Sequence, residues 1–204
     1  DDGITDELIE TIAKNDKICN YLDIPIQHIA DNVLRRMRRN STGASIRETF
    51  KKLRANIPGI HIRTTMIVGF PGESEQDFEE LLDFVREAKI DRLGVFAFSD
   101  EEGTLSHRLD GKLPEEVKEL RRDEVMALQV GISEELNQNK TEKVFEVMVD
   151  EVQTEGEYIG RTRYDAQEID NEVSFVSERR LVPGDIVEVK ITEAYEYDLV
   201  GEEV

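Results

Sequence analysis

Arg63-Thr64-Thr65-Met66-Ile67-Val68-Gly69-Phe70-Pro71-Gly72-Glu73 decides the fold of this 204-residue chain. An apolar strand runs into a glycine-rich turn, and a helix begins at Ser74. A strand ending in Gly-x-Pro-Gly lets backbone amides approach a ligand, and the helix start behind it adds partial positive charge. Downstream, Phe78, Leu81, Leu82 and Val85 fall on one helical face, and 92–98 predicts a further strand. Upstream, the apolar run 18–26, broken by Asp23 and Pro25, predicts a strand and loop, and 31–39 a basic helix. Ser45-Ile46-Arg47-Glu48 has capping-box form and opens a helix ending near Pro58-Gly59, while 4–14 forms a helix with Thr5 as cap. This alternation of strand and helix implies right-handed crossovers and a parallel sheet.

After the loop 99–113, Pro114 starts a long helix to about Asn139. The pattern then changes. Stretches 144–149, 157–163, 173–176 and 185–191 are rich in β-branched residues, with turns at Gly156 and Pro183-Gly184. Short strands at this spacing predict a small antiparallel barrel. The expected fold is therefore α/β over 1–140, followed by an antiparallel β-barrel over 141–204.

Charge bounds the partners. The chain carries 26 basic and 46 acidic residues, a net of −20. Such a chain repels nucleic acid unless a local patch is basic, and attracts a basic partner. Residues 142–204 hold 18 acidic and 6 basic side chains, so the predicted barrel alone is at −12. A solubilising surface and a docking face for something basic both fit that excess. No 18-residue apolar run exists, which excludes a helical membrane span. Asp1-Asp2-Gly3 is neither an initiator Met nor a signal-peptide start, and predicts a piece of a longer polypeptide. Cys19 is the only cysteine, so no disulfide framework is possible and a reducing, cytoplasmic setting is expected. It is expected to be buried on its strand and inert.

Three stretches together resemble the later strands of the barrel in radical S-adenosylmethionine (SAM) methylthiotransferases. They are Leu22-Asp23-Ile24-Pro25-Ile26-Gln27-His28 with the basic run behind it, the 63–78 segment, and 95–104 (Val-Phe-Ala-Phe-Ser-Asp-Glu-Glu-Gly-Thr). The last part is similar to the TRAM domain, an OB-like barrel that follows that core, through Gly160-Arg161-Thr162, 165–170 and 195–201. The resemblance implies the later β/α units of a partial, TIM-like radical SAM barrel. It implies SAM and two [4Fe–4S] clusters, each held by three cysteines, with a radical that abstracts hydrogen from the carbon to be methylthiolated. One cysteine cannot replace six, so this chain is expected to hold neither cluster and to be inactive alone. The half-barrel would also leave its first strand with an open edge, and self-association is expected.

Family members modify either tRNA adenosine or an aspartate of the small-subunit ribosomal protein S-twelve. A barrel at −12, and the closing Glu-Tyr-Asp-Leu-Val-Gly-Glu, favour the ribosomal-protein class. A basic face from Arg161, Arg163, Arg179 and Arg180 would favour tRNA instead, and a non-catalytic module docking a basic protein is a third reading. The resemblance places SAM near Gln27, Arg63, Gly69, Gly72, Phe98 and Ser99. Gly69 and Gly72 equally suit a tight turn, and Arg63 a rim salt bridge. His28 is expected to be a surface or hydrogen-bonded histidine. Arg161, Asp165, Glu168 and Asp170 are expected at the substrate-docking face. The run Arg35, Arg36, Arg38, Arg39 suggests a nucleic-acid patch, but is expected to form internal ion pairs. No catalytic or metal-ligating residue is assigned.

Overall fold

The computed structural model describes residues 3–204; Asp1 and Asp2, on which the reading of the chain's start partly rests, lie outside them. The chain divides into two compact units, one built mainly of residues 22–129 and one mainly of 130–204. In the first, α1 (Asp6–Lys14) is capped by the Thr5 hydroxyl, which accepts from the Leu8 amide at 3.1 Å. There follow β1 (Tyr21–Asp23), α2 (Asp31–Arg36), α3 (Gly43–Asn56), β2 (His61–Val68), α4 (Glu75–Ala88) and β3 (Arg92–Ala97). The strands form one sheet in the order β1-β2-β3, with β2 and β3 parallel.

Burial alternates strictly along β2. Ile62, Met66 and Val68 lie buried on one face, as do Phe50 and Leu53 of α3 and Leu81 and Phe84 of α4. Phe50 and Phe84 meet edge to face at 5.5 Å. Thr64 shares the covered face, and its hydroxyl is satisfied by donating to the Ile24 carbonyl at 2.6 Å. Arg63, Thr65 and Ile67 occupy the opposite face, in register with Arg92, Gly94 and Phe96. That face is open enough to leave Phe96 60% exposed. A parallel sheet is ordinarily covered on both sides; this one is covered on one.

Several expectations need correction. Cys19 is exposed and precedes the strand, because only 21–23 of the apolar run pairs as a strand. The basic helix stops at Arg36, since Arg38 takes φ +58 and turns the chain. The capping box of α3 uses Thr42 as cap and Ser45 as its third residue, moving the helix start ahead of Ser45. The helix after the glycine turn starts as expected at a Ser74 cap, in a box with Asp77.

Burial of Asp77 favours its protonated form, but hydrogen bonds from the Ser74 hydroxyl and amide and from Asn32 outweigh it. They hold the carboxyl below the usual aspartate range. A folded pKa below the unfolded value of about 3.9 gives stability that is complete above that value and is lost as pH falls through the folded one. Asp77→Asn is therefore expected to flatten the acid limb of a urea-midpoint-versus-pH curve. Ser74→Ala should cost about 1 kcal/mol.

The helix α5 (Glu115–Gln138) leads into the second unit. There β4 (Val144–Thr154), β5 (Glu157–Thr162), β6 (Val173–Val176), β7 (Ile186–Ala194) and β8 (Leu199–Glu203) close a barrel in the order β4-β5-β6-β8-β7. β8 had no counterpart among the predicted strands, and its pairing with β6 is parallel where all other barrel pairs are antiparallel. Val147, Val189, Ile191, Phe175 and Leu199 fill the interior. Tyr158 stacks on Phe175 at 5.6 Å and donates its hydroxyl to the Arg179 carbonyl at 2.9 Å. The Asn137 amide, fully buried, donates to the carbonyls of Tyr195, Glu196 and Tyr197, fixing the turn before β8 to the end of α5.

Candidate functional site

The turn after β2 is built around a buried carboxylate. Gly69 at φ +73 and Gly72 at φ +85 fold the chain back so that Glu73 lies beneath the turn. Glu73 Oε2 accepts from the Gly69 amide at 2.7 Å and the Phe70 amide at 3.2 Å. Oε1 accepts from Arg121 Nη1 at 2.7 Å, while Arg121 Nη2 reaches Glu75 at 2.7 Å. The Arg121 guanidinium also lies 5.0 Å from the Phe78 ring centre. A charge with no solvent access is tolerable only when so compensated.

His28 completes the cluster. It is fully buried, and its Nδ1 accepts from the Ala30 amide at 3.0 Å. In the neutral ring this puts the proton on Nε2, which lies 3.6 Å from Glu73 Oε2, beyond a hydrogen bond. The expectation of a hydrogen-bonded histidine fits; that of a surface one does not.

Glu73 therefore occupies the Gly69 and Phe70 amides that the sequence suggested for a ligand. The space above the two glycines is filled as well. A Cβ at Gly69 would lie 2.2 Å from Lys118 Cγ, and one at Gly72 would lie 2.5 Å from Arg36 Nε. Lys118 uses this access to donate to the Phe98 carbonyl at 2.9 Å. Arg36 donates from Nε to the Pro71 carbonyl at 2.6 Å, and from Nη2 to the Asp110 carbonyl and carboxylate at 2.7 and 2.6 Å. Its guanidinium holds the Asp110 carboxyl below the usual aspartate range. Gly72 N–H donates to the Gly111 carbonyl at 2.8 Å. The segments that follow all three strands are thus tied together at one end of the sheet.

That end carries a cavity of about 560 Å³. Gln27, at φ +69, lines it, its backbone still bridged to Met66 of β2. Ile67, Phe70 and Leu109 supply apolar wall, and Arg36, Arg38, Arg39 and Arg108 basic wall. Carboxyl ends of parallel strands are where α/β folds place ligands. Of the six residues assigned to SAM, Gln27 alone lines this cavity. Arg63 pairs with Asp23 at 2.6 Å, the rim salt bridge that was its other reading. Phe98 is buried edge to face against Phe70 at 5.0 Å, and the exposed Ser99 hydroxyl donates to Glu101 at 2.6 Å. Of the arginine run, only Arg36 forms an ion pair among the described residues, so the expectation of general internal pairing is corrected.

In the barrel, Arg161 pairs with Asp150, Asp165 accepts from the Thr162 hydroxyl at 2.6 Å, and Asp170 accepts from the Ala166 amide at 2.8 Å. Glu168 stands exposed at φ +61. Sequence reasoning overlooked the outward pair Glu146 and Glu188, which face each other in register across β4 and β7. The signal was available in the alternation of both strands, where Glu146 falls between inward Phe145 and Val147, and Glu188 between inward Val187 and Val189.

Residues 1–85 match the radical SAM superfamily, and residues 143–204 match the TRAM domain family. The chain is thus similar to the radical SAM superfamily in its first part and to the TRAM domain family in its last. It is 49% identical to the ribosomal protein uS12 methylthiotransferase RimO of Clostridioides difficile over 98% of its own length. To the proteins of the same name from Pelotomaculum thermopropionicum and Clostridium botulinum it is 51% and 48% identical over 98% and 97%. It spans 44–46% of the length of these relatives. No helix among the described residues is long and apolar enough to cross a membrane.

Proposed function

We propose that this chain is the later part of a cytoplasmic radical SAM methylthiotransferase that places a methylthio group on an aspartate of ribosomal protein uS12. Residues 1–140 would close the radical SAM core, and 141–204 would form the TRAM domain. The observation that carries this reading is similarity along nearly the whole chain to proteins bearing that activity in their name. Charge supports a protein substrate over tRNA. The segment 142–204 is at −12, and two of the four arginines a tRNA-gripping face would need, Arg161 and Arg179, are paired with Asp150 and Glu203. The exposed barrel carboxylates, Glu168 among them, would meet a basic partner, with Arg161, Asp165 and Asp170 shaping the surface around it.

In the whole enzyme, SAM and iron–sulfur clusters supply the radical chemistry. The residues of this chain do not fit a cluster. Cluster irons take cysteine thiolates, Cys19 is the one cysteine, and no three His, Cys, Asp or Glu among the described residues are grouped to hold a metal. The chain alone is proposed to be inactive. Its own contribution would be an end of the sheet tied together by Glu73, Arg36 and Lys118, where Gln27 lines the cavity and would contact SAM. The test is whether the whole polypeptide methylthiolates uS12 and leaves tRNA adenosine unmodified, read by mass spectrometry.

A further inference from the structure

The arginines around the cavity are out of keeping with the rest of the chain. With 46 acidic residues against 26 basic, a surface arginine has carboxylates to choose from, and many find one. Arg47 pairs with Glu87, Arg63 with Asp23, Arg86 with Asp83, and Arg179 with Glu203. Arg38, Arg39 and Arg108 line one cavity, and none of their side chains has a hydrogen bond or ion pair to any described residue. They come from two different segments, the turn after α2 and the loop after β3, so no single helical face accounts for them.

The backbone points the same way. Arg38 sits at φ +58, where its own amide donates to Arg35 and that of Arg39 donates to Leu34. Glycine would satisfy this left-handed turn without strain. An arginine there places a charged side chain at the cavity at some conformational expense. Arg36, by contrast, is fully committed to Pro71 and Asp110 and acts as a fixed post beside the free arginines.

We propose that this cavity is a carboxylate-recognition site that receives an acidic side chain presented by an otherwise basic protein substrate. The proposal rests on the reading of the substrate as a basic ribosomal protein. Guanidinium groups match a carboxylate with paired donors. Ile67, Phe70 and Leu109 supply an apolar wall that the methylene of such a side chain can cover. A polyanion suits the site poorly, because a chain at −20 repels an extended phosphate backbone while still attracting a basic protein. The basic partner is drawn by overall charge, and its single acidic residue by the arginines.

The test measures binding of the whole polypeptide to which this chain is proposed to belong to two short lysine-rich peptides that differ only in a central aspartate or asparagine. The aspartate peptide is expected to bind about tenfold more tightly, the effect of one charge-assisted hydrogen bond. The triple variant Arg38→Gln, Arg39→Gln, Arg108→Gln should abolish that difference with the circular dichroism spectrum unchanged, since all three side chains are exposed. Equal binding of both peptides, or a preference that survives the triple variant, would overturn the proposal. So would tighter, arginine-dependent binding of an RNA oligonucleotide, or displacement of the peptide by SAM, which would give the arginines to the cofactor's own carboxylate. Binding of uS12 is read separately. If uS12 binds wild type and variant equally while the peptides are not distinguished, the site fails and the uS12 reading stands. If the peptides are distinguished but uS12 does not bind, the site stands and the uS12 reading fails.

Discussion

Glu73→Ala is expected to lower the stability of the sheet unit by about 3–5 kcal/mol, the cost of removing one partner from a buried ion pair. Three losses combine. The Gly69 and Phe70 amides lose their acceptor, at 2.7 and 3.2 Å, in a turn where both residues are buried. Arg121, with a side chain 7% exposed, keeps Glu75 but loses its inner carboxylate. The glycine turn also loses the group that folds it back, so the cavity wall beside it should loosen. Glu73→Gln separates these terms. Its amide oxygen can still accept from the turn, while its NH2 faces Arg121, so an intermediate loss is expected. Urea denaturation followed by circular dichroism measures both variants, and an alanine variant within about 1 kcal/mol of wild type would contradict the role given to Glu73.

Gly160→Ala is expected to destabilise the barrel by about 2–3 kcal/mol through overpacking. Gly160 lies on the inner face of β5, and a Cβ there would come within 2.3 Å of the Met148 carbonyl oxygen and 2.7 Å of Val147 Cγ1. The first is backbone of the paired strand and cannot swing aside. Relief requires β4 and β5 to move apart between Val147 and Val149, which pair with Thr162 and Gly160. For a unit of this size the melting transition should fall by roughly 8 °C or more. Gly156→Ala is the informative contrast: its nearest neighbour is 3.5 Å away, but φ +88 makes it strained for a backbone reason instead. Unchanged melting of Gly160→Ala would mean that the β4–β5 pair is looser than described.

Much of the fold was legible because its signals are local. The strand over 61–68, the Ser74 cap and the Thr5 cap each follow from a few adjacent residues. β8 was not legible: Leu199–Glu203 holds a glycine and two glutamates, and it becomes a strand through its neighbours β6 and β7. Cys19 was misplaced because the apolar run around it is longer than the three residues that pair as β1. At the candidate site, the glycines marked the right turn but not the carboxylate of Glu73 that takes two of its amides. Lys118 and Arg36 fill the glycine spaces from sequence positions 49 and 36 residues away, and Arg121 reaches Glu73 across 48. No pattern within a turn of helix announces such contacts. The arginine run was visible at once, yet whether each guanidinium finds a partner is a property of the folded surface.

The measurement that bears most directly on the proposed function uses the whole polypeptide to which the proposal assigns this chain, with the proposed clusters, SAM and a reductant. Purified uS12 and tRNA are offered together and both are analysed by mass spectrometry. The account predicts one methylthio group on an aspartate of uS12 and none on tRNA. A methylthio group on tRNA adenosine with uS12 unmodified would contradict it.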